Sequence, residues 1–494
     1  MLINGLMNIL NITSLFWMML GSIVGLVAGA LPGLSASIAI ILILPFTYTM
    51  EGITAIVTLV AVYIGAQCGG SFPAILIKTP GTPSAVPTMF DGYPMAQNGD
   101  AKKALGLAIT ASGFGGIFSG IVMVIASSAL AAWAIKFQSA EFFMLSILGL
   151  SCIASIGGDP LKGLLSASLG LLVSTVGIDA ITGVERFTFG QTFLWGGISY
   201  IPVMIGSFAI AEVYRQILIR KDDNEKELKK QAREKSKAQL PGIKDFIKYW
   251  ATYVKAAIIG TIIGIIPAAG GSIAGLISYS IISRSSKYPE KFGKGHDEGI
   301  IAAESANNAA VGGTLVPSIA LGIPGGPATA IILAAFIMHG LTPGPMLLIN
   351  QPELHYSIMW GIIFGSIMLF VFGRLISGHF SRIIGVPYPI LGTIIIVLGI
   401  LGAYSLQNSL NYVIIMVLFS FIGYYFHKFG YSTASFILGL ILGPIGENGL
   451  RKQLIVTQGD WTSFLTRPIS LTILILAIFI MVFPILKKSL VIKR

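Results

Sequence analysis

Apolar residues occur along this chain in long continuous runs, and not only on one side of short helices or strands. Residues 1–50 contain no Asp, Glu, Lys or Arg, and residues 305–352 form a second long uncharged run. A bilayer crossing needs about 20 such residues, so the pattern predicts an all-α polytopic membrane protein with about 10–14 transmembrane or re-entrant helices. Beyond two arms within residues 1–50 and one at 54–77, helices are predicted near 104–135, 141–157, 160–178, 191–214, 251–266, 270–283, 356–380, 384–404, 411–427, 431–443 and 468–486.

Composition supports the membrane assignment and excludes other classes. Charged residues make up 11% of the chain, against about 25% in soluble domains. The net charge of +11 comes from bases clustered between apolar runs, which is typical of topology signals and not of nucleic-acid binding. The sequence therefore divides into a first transmembrane repeat at 1–214, a basic cytoplasmic linker at 215–250 and a second repeat with C-terminal helices at 251–494. The C-terminus is also predicted to be cytoplasmic, and Cys68 and Cys152 are read as buried thiols.

Three short elements recur in the same order on the two sides of the linker. Residues 29–33, 69–71 and 80–83 resemble residues 264–268, 312–314 and 324–327. Residues 284–294 hold four basic side chains, whereas the matching loop near 47–53 holds only Glu51. Because basic loops favour the cytoplasm, we expect two inverted repeats. Helices interrupted at matched positions are the sequence sign of a secondary transporter, with its site where the breaks meet.

The chemistry of the two Pro-Gly interruptions suits a carboxylate. Exposed N–H groups at a helix start attract anions, and hydroxyls, one lysine and amides can add donors. The alternatives are hydroxyls bonded to their own helix and a lysine that extends to the membrane surface. The predicted substrate-binding residues are Ser71, Lys78, Pro80, Gly81, Thr82, Pro83, Ser84, Thr314, Pro324, Gly325, Gly326 and Thr329. The residues predicted to bind a coupling ion are Glu304, Asn307 and Asn308.

Several longer motifs resemble one known family. They are GAQCGGS at 65–71, PGTPSA at 80–85, DGYPMA at 91–96, residues 292–326, HGLTPGP at 339–345 and LGPIGENGLRKQL at 442–454. Together they resemble the TctA family, the large membrane subunit of tripartite tricarboxylate transporters. One departure is Lys78, where members commonly have a neutral residue.

The resemblance implies uptake of a di- or tricarboxylate such as citrate across the cell membrane of a prokaryote. The implied partners are a TctC-like binding protein outside the cell membrane and a small TctB-like membrane subunit. Inward movement of each negative charge costs about 2.3 kcal/mol per 100 mV, so cation coupling is expected, with sodium favoured over protons. No cofactor is expected, and no enzyme motif such as HExxH is present. A stand-alone transporter or a channel for another organic solute remains the alternative.

Overall fold

The computed structural model consists of helices and one small β-ribbon. It describes residues 1–31, 33–134, 136–154, 160–219, 238–266, 270–344, 347, 350–380, 386 and 388–492. The helices before the linker are α1 Leu2–Leu10, α2 Ile12–Ala30, α3 Ala36–Ile43, α4 Gly52–Gly69, α5 Ser71–Ile77, α6 Val86–Gln97, α7 Ala101–Ala134, α8 Ser139–Ala154, α9 Pro160–Ser174, α10 Tyr200–Met204 and α11 Ala211–Ile219.

The part of the chain after the linker is also mainly helical. They are α12 Ile243–Ile265, α13 Gly270–Ser285, α14 Asp297–Leu321, α15 Pro327–Met338, α16 Pro352–Ile376, α17 Tyr388–Ser405, α18 Leu410–Phe429, α19 Thr433–Val456, α20 Ser463–Thr466 and α21 Pro468–Ile492. Short 3-10 turns occupy Leu44–Thr49, Pro83–Ala85, Thr192–Leu194, Pro289–Lys291 and Ser377–His379. A π-helical turn, Ile205–Ile210, joins α10 to α11.

Membrane-length helices dominate the described residues. Nine helical segments there are long and apolar enough to cross a bilayer, and five shorter apolar helices accompany them. A segment of 20 residues in α-helical geometry is about 30 Å long, the thickness of the hydrocarbon layer. The prediction of an all-α polytopic membrane protein is confirmed.

The segment between α9 and α10 differs from the sequence prediction. Helices were expected near 160–178 and 191–214, but α9 ends at Ser174 and α10 begins at Tyr200. Between them, β1 Gly177–Ile178 pairs antiparallel with β2 Glu185–Arg186. Four glycines in this loop have positive φ: Gly177, Gly183, Gly190 and Gly197. Glycine adopts a positive φ at little energetic cost, and residues in this conformation interrupt a helix. The apolar pattern of the sequence did not reveal this interruption.

The linker segment is helical at both described ends. Helix α11 extends to Ile219 and α12 begins at Ile243, so both enter the predicted 215–250 segment. Gln239 N donates to Lys102 O over 2.9 Å, which fixes the approach to α12 against α7. The central part of the linker, 220–237, which holds most of its charged residues, lies outside the described residues.

Close glycine contacts join α2 to α4 in the first half of the chain. A Cβ atom at Gly25 would lie 2.3 Å from Val62 O, and one at Gly29 would lie 2.1 Å from Ala66 O. Both distances are far shorter than an atomic contact, so only glycine lets these two helices approach so closely. Small residues at helix interfaces are the usual means of close packing in membranes.

The second half repeats this arrangement between α12 and α14. A Cβ atom at Gly260 would lie 2.3 Å from Ala306 O, and one at Gly264 would lie 2.7 Å from Ala310 O. Gly260 and Gly264 have the same spacing as the two glycines of α2, and their partners on α14 match those on α4. The sequence similarity of the two halves therefore coincides with matched helix–helix contacts.

Candidate functional site

The first interruption, residues 80–83, separates α5 from α6. Helix α5 ends at Ile77, and Lys78 takes the left-handed conformation with φ 57°. A Cβ atom at Gly81 would lie 2.0 Å from Gly29 O. The backbone N–H of Gly81 donates to Gly70 O over 3.0 Å. The break is thus pressed against the ends of α2 and α4, and proline on both sides keeps it from joining a helix.

The second interruption, residues 324–327, separates α14 from α15. A Cβ atom at Gly325 would lie 2.7 Å from the Cα of Thr314. In the first half, a Cβ atom at Gly81 would lie 3.0 Å from the Cα of Gly70. These two glycines occupy corresponding sequence positions, and each packs on the preceding helical segment of its own half. The contacted residues differ by one position, because Gly70 corresponds to Gly313 and Thr314 to Ser71.

A cluster of buried polar side chains lies beside the first interruption. Ser84 Oγ donates to Gln67 Oε1 over 2.8 Å, and the hydroxyls of Thr82 and Ser84 are 3.0 Å apart. Asn307 Nδ2 donates to Gln67 O over 3.4 Å. Gln67 therefore connects the first break to α14, the helix that carries the predicted ion-binding amides. We call Gln67, Thr82, Ser84 and Asn307, together with Asn308 as the next residue of α14, the polar cluster.

The polar cluster contains buried groups that lack hydrogen-bond partners among the described residues. They are Asn307 Oδ1 and both side-chain polar atoms of Asn308. A Cβ atom at Gly271 would lie 2.8 Å from Asn307 Oδ1 and 2.9 Å from Gln67 Nε2. A buried polar atom without a partner costs roughly 1–3 kcal/mol, so these oxygens and N–H groups are available to a ligand.

Glu304 lies one turn before these amides on α14. It is fully buried, and its carboxylate accepts hydrogen bonds from Thr88 Oγ1 and, over 2.8 Å, from Ser112 Oγ. No ion pair to Glu304 is found among the described residues. The carboxylate thus joins α6, α7 and α14 through hydroxyl donors.

Three predicted hydroxyls bond back to nearby backbone. Ser71 Oγ donates to Cys68 O over 2.6 Å, and Thr314 Oγ1 donates to Val311 O over 2.9 Å. Thr329 Oγ1 accepts from Gly326 N over 2.9 Å and so caps the start of α15. In this conformation each hydroxyl bonds to backbone three residues earlier in the chain, close to the alternative interpretation of the sequence.

Lys78 is placed apart from the polar cluster. Its side chain is exposed, and Nζ lies 5.6 Å from the ring centroid of Tyr93. Lys78 and Arg284 line a cavity of about 560 Å³ that includes none of the residues of the first break. The structure therefore does not bring Lys78 together with the other predicted substrate residues.

One cavity of the candidate site has the first interruption in its wall. Its volume is about 860 Å³, and we call it the break cavity. Pro83 is exposed there, whereas Pro324, Gly325 and Gly326 are buried and do not line it. The other residues that line the break cavity include Gly33, Ser35, Ile38, Thr79, Pro80, Gly81, Thr82, Ser207, Phe208, Glu212, Arg215, Gln216, Gly423, His427, Tyr431 and Thr433.

A second cavity, of about 620 Å³, lies beside the β-ribbon. We call it the hairpin cavity. Its walls include Ile178, Asp179, Arg186, Trp195, Tyr200, Ile201, Met338, Leu440, Pro444, Glu447, Asn448 and Arg451.

Two helices connect these cavities in opposite directions. The α10–α11 helix begins at the hairpin cavity with Tyr200 and reaches the break cavity at Arg215. Helix α19 begins at the break cavity with Thr433 and reaches the hairpin cavity at Arg451. Both segments have the length and apolarity of a membrane crossing, so the cavities lie at opposite ends of membrane-length helices.

Sequence reasoning missed several residues of the site. Gln67, Thr88, Ser112 and Gly271 were not selected, yet each contacts a predicted residue. Gln67 carried a usable signal, since it is an amide in an apolar run just as Asn307 is. The hydroxyls of Thr88 and Ser112 carried none, because serine and threonine are common in membrane helices.

A bundle of membrane-length helices with interrupted segments, buried polar groups and a cavity at each end belongs to the class of multi-pass membrane transporters. The comparison with family models agrees, because residues 15–438 match the tripartite tricarboxylate transporter TctA family. The chain belongs to the TctA family, which is a family of transporters and not of enzymes.

Individual relatives support this assignment. The chain is 35% identical over 481 residues to an uncharacterized 52.8 kDa protein in the TAR-I ttuC' 3' region of Agrobacterium vitis, covering 95% of this chain and 93% of that protein. It is also 35% identical over 215 residues to an uncharacterized protein in the TAR-II ttuC' 3' region of the same organism, covering 44% of this chain and 89% of that protein. No solved structure matches the chain.

Proposed function

We propose that this protein is the transport subunit of a tripartite system that carries a di- or tricarboxylate inward, driven by a cation gradient. A TctC-like binding protein would deliver the anion, and a small TctB-like subunit would complete the membrane complex. The observation that carries this proposal is the difference between the two interruptions. Residues 80–83 line the break cavity, where Pro80 is half-buried and Pro83 is exposed, whereas residues 324–326 are buried, Pro327 is half-buried, and none of these four lines the break cavity or the hairpin cavity.

When one of two matched elements lines a cavity and the other is buried, a transporter is in a conformation that is open to one side of the membrane. In transporters built from inverted repeats, each repeat exchanges the two environments as access alternates. The glycine contacts of α2 with α4 recur between α12 and α14, which supports two repeats here. The inversion of the repeats rests on the basic residues 284–294 against the loop near 47–53, which holds only Glu51.

The direction of opening follows from the linker. Helix α11 leads from the break cavity towards residues 220–237, which hold eight Lys or Arg residues among five Asp or Glu residues. Basic connections favour the cytoplasm, so the break cavity is assigned to the cytoplasmic side of the cell membrane. The hairpin cavity then faces the binding protein.

The polar cluster supplies groups for both the anion and the cation. Hydroxyls of Thr82 and Ser84 can donate to a carboxylate, and the amide oxygens of Asn307 and Asn308 can accept a cation. Neutral oxygens suit sodium, which therefore remains favoured over a proton. Glu304 is the group through which a proton would act. At about 2.3 kcal/mol for each negative charge per 100 mV, the cations must at least balance the charge of the substrate.

The test is uptake into proteoliposomes that contain this chain, the small subunit and the binding protein. Radiolabelled citrate, tartrate, malate and succinate are offered under a sodium gradient at fixed pH. The proposal expects saturable uptake of at least one of them that stops when the sodium gradient is collapsed with an ionophore. Uptake that persists without a sodium gradient but follows a pH gradient would show that the coupling ion is a proton and not sodium. Uptake at full rate without the binding protein would favour a stand-alone transporter.

A further inference from the structure

Each of the two cavities has a glutamate–arginine pair in its wall, at the end of the helix that arrives there. In the break cavity, Arg215 Nε donates to Glu212 Oε2 over 2.6 Å. In the hairpin cavity, Arg451 Nη1 donates to Glu447 Oε1 over 3.0 Å. The side chains of Arg215 and Arg451 are 28% and 30% exposed, so both guanidinium groups can be reached from their cavities.

The two pairs differ in what else they touch. In the hairpin cavity, Arg451 also binds Asp179, and Arg186 Nη1 donates to Glu447 Oε1 over 2.6 Å. That network joins α19 to the loop that carries the β-ribbon. In the break cavity, Glu212 also accepts from Gln216 Nε2 over 2.7 Å, which lies on the same helix. The pair in the hairpin cavity is thus tied to the loop that carries the β-ribbon, while the pair in the break cavity is held within α11.

Stability alone is a weak reason for these pairs. Exposed ion pairs contribute about 0–1 kcal/mol to folding. A guanidinium group, by contrast, binds a carboxylate through two parallel hydrogen bonds, with strong selectivity for planar anions. An arginine at the mouth of a carboxylate pathway would bind the substrate too tightly unless another carboxylate competed for it.

We propose that Arg215 and Arg451 are matched carboxylate-binding residues, one at each mouth of the pathway, and that Glu212 and Glu447 compete with the substrate for them. This inference rests on the proposed function and deepens it. The substrate class is an anion with at least two carboxylates, because one can bind the arginine while the other is still held elsewhere. The tie from Arg451 to Asp179 engages this arginine at the outer mouth in this conformation.

The test measures the half-saturating substrate concentration separately from each face. Right-side-out and inside-out vesicles are prepared from cells that express the complete system, and labelled citrate and tartrate are the probes. The substitution R215Q should raise the half-saturating concentration at the break-cavity face about tenfold or more, as expected for the loss of a charged hydrogen-bonded contact. The substitution R451Q should do the same at the hairpin-cavity face.

Removal of the competing carboxylate should act in the opposite direction. The substitution E212Q should lower the half-saturating concentration at the break-cavity face and slow release there, and E447Q should do so at the other face. The matched control is R467Q. Arg467 is 31% exposed and pairs with Glu141 over 2.7 Å, but it lines neither cavity. Its loss should affect both faces equally or not at all.

The outcomes separate the two proposals. The inference is supported if R215Q changes the half-saturating concentration only at the break-cavity face and R451Q changes it only at the hairpin-cavity face. If wild-type vesicles transport the probes and the arginine variants change both faces alike, the inference is wrong while the proposed function stands. If wild-type vesicles move none of the carboxylates, the proposed function fails and the inference fails with it.

Discussion

The hydroxyl of Ser84 donates a hydrogen bond to Gln67 Oε1, 2.8 Å away, and thereby ties the first interruption to α4. Both side chains are buried, with 2% and 7% of their surface exposed. The bond keeps residues 80–83 at a fixed distance from α4 while α14 approaches from the other side. Removing this bond by substitution therefore tests directly whether the polar cluster acts in transport.

Substitution of Ser84 with alanine should weaken substrate binding. The change leaves Gln67 Oε1 buried without its donor, a cost of about 1–3 kcal/mol, and removes one hydroxyl from the cluster. We expect a raised KM for the transported carboxylate and a lower thermal midpoint. The control is Ser285→Ala, whose hydroxyl bonds to Ile282 O outside the cluster. An S84A variant that loses stability but keeps its KM would show a purely structural role.

Substitution of Asn307 with alanine should change the response to the coupling ion. Asn307 Oδ1 is buried without a hydrogen-bond partner among the described residues, so its loss removes a ligand for the ion; the bond from Asn307 Nδ2 to Gln67 O is lost as well, and we expect a lower thermal midpoint beside the changed ion response. We expect the sodium concentration for half-maximal uptake to rise, with a smaller change in the carboxylate KM. The measurement is initial uptake rate against sodium concentration at constant ionic strength.

The control for this variant lies on the same helix. Ser305→Ala removes a hydroxyl that bonds to Tyr253 O over 3.0 Å, and it should leave the sodium response unchanged. Equal sodium curves for wild type and N307A would show that Asn307 does not bind the coupling ion.

The positions of the interruptions could be predicted from the sequence because proline and glycine act locally. Proline lacks the N–H that a helix interior needs, so the breaks at 80–83 and 324–327 are visible without any tertiary information. Long apolar runs gave the helical class in the same way. Such features depend only on neighbouring residues.

The partners of single side chains could not be predicted in that way. Lys78 was expected in the substrate site, but its left-handed backbone ends α5 and directs the side chain towards Tyr93. Gln67 meets Asn307 across the fold, and no local pattern encodes a contact between residues so far apart in sequence. The relation between Arg215 and Arg451 became visible only when the two cavities were compared.

Substitution of Gly29 with alanine should destabilise the fold strongly. The added Cβ would lie 2.1 Å from Ala66 O, so α2 and α4 must separate, and overpacking of this kind typically costs about 1–3 kcal/mol. The matching change, Gly264→Ala, meets Ala310 O at 2.7 Å and should cost less. Thermal unfolding midpoints in detergent show which of the two variants is less stable. Gly196→Ala is the control, since nothing lies within 4 Å of its Cβ position. Equal midpoints for G29A and wild type would contradict the close approach.

The last prediction concerns pH and the loop beside the hairpin cavity. The backbone N–H of Thr182 and the guanidinium of Arg451 lower the pKa of Asp179 well below its usual value. A lowered pKa in the folded state means that the carboxylate stabilises the loop at every pH above its unfolded value, about 3.9. This contribution is lost only as pH falls through the lower folded value. Trp195 lines the same cavity, so its fluorescence reports on the loop.

Asp179→Asn should therefore loosen the loop at neutral pH, whereas the wild-type loop should open only in acid. We expect the Trp195 signal of the variant at pH 7 to resemble that of wild type at the lowest pH, and the difference between them to shrink steadily below about pH 4. The control is Asp460→Asn, since Asp460 is exposed and binds Thr462 two residues away. A wild-type signal that changes between pH 8 and 5 would lie above the pH range in which a carboxylate with a lowered pKa acts, and it would assign the stability of the loop to groups other than Asp179.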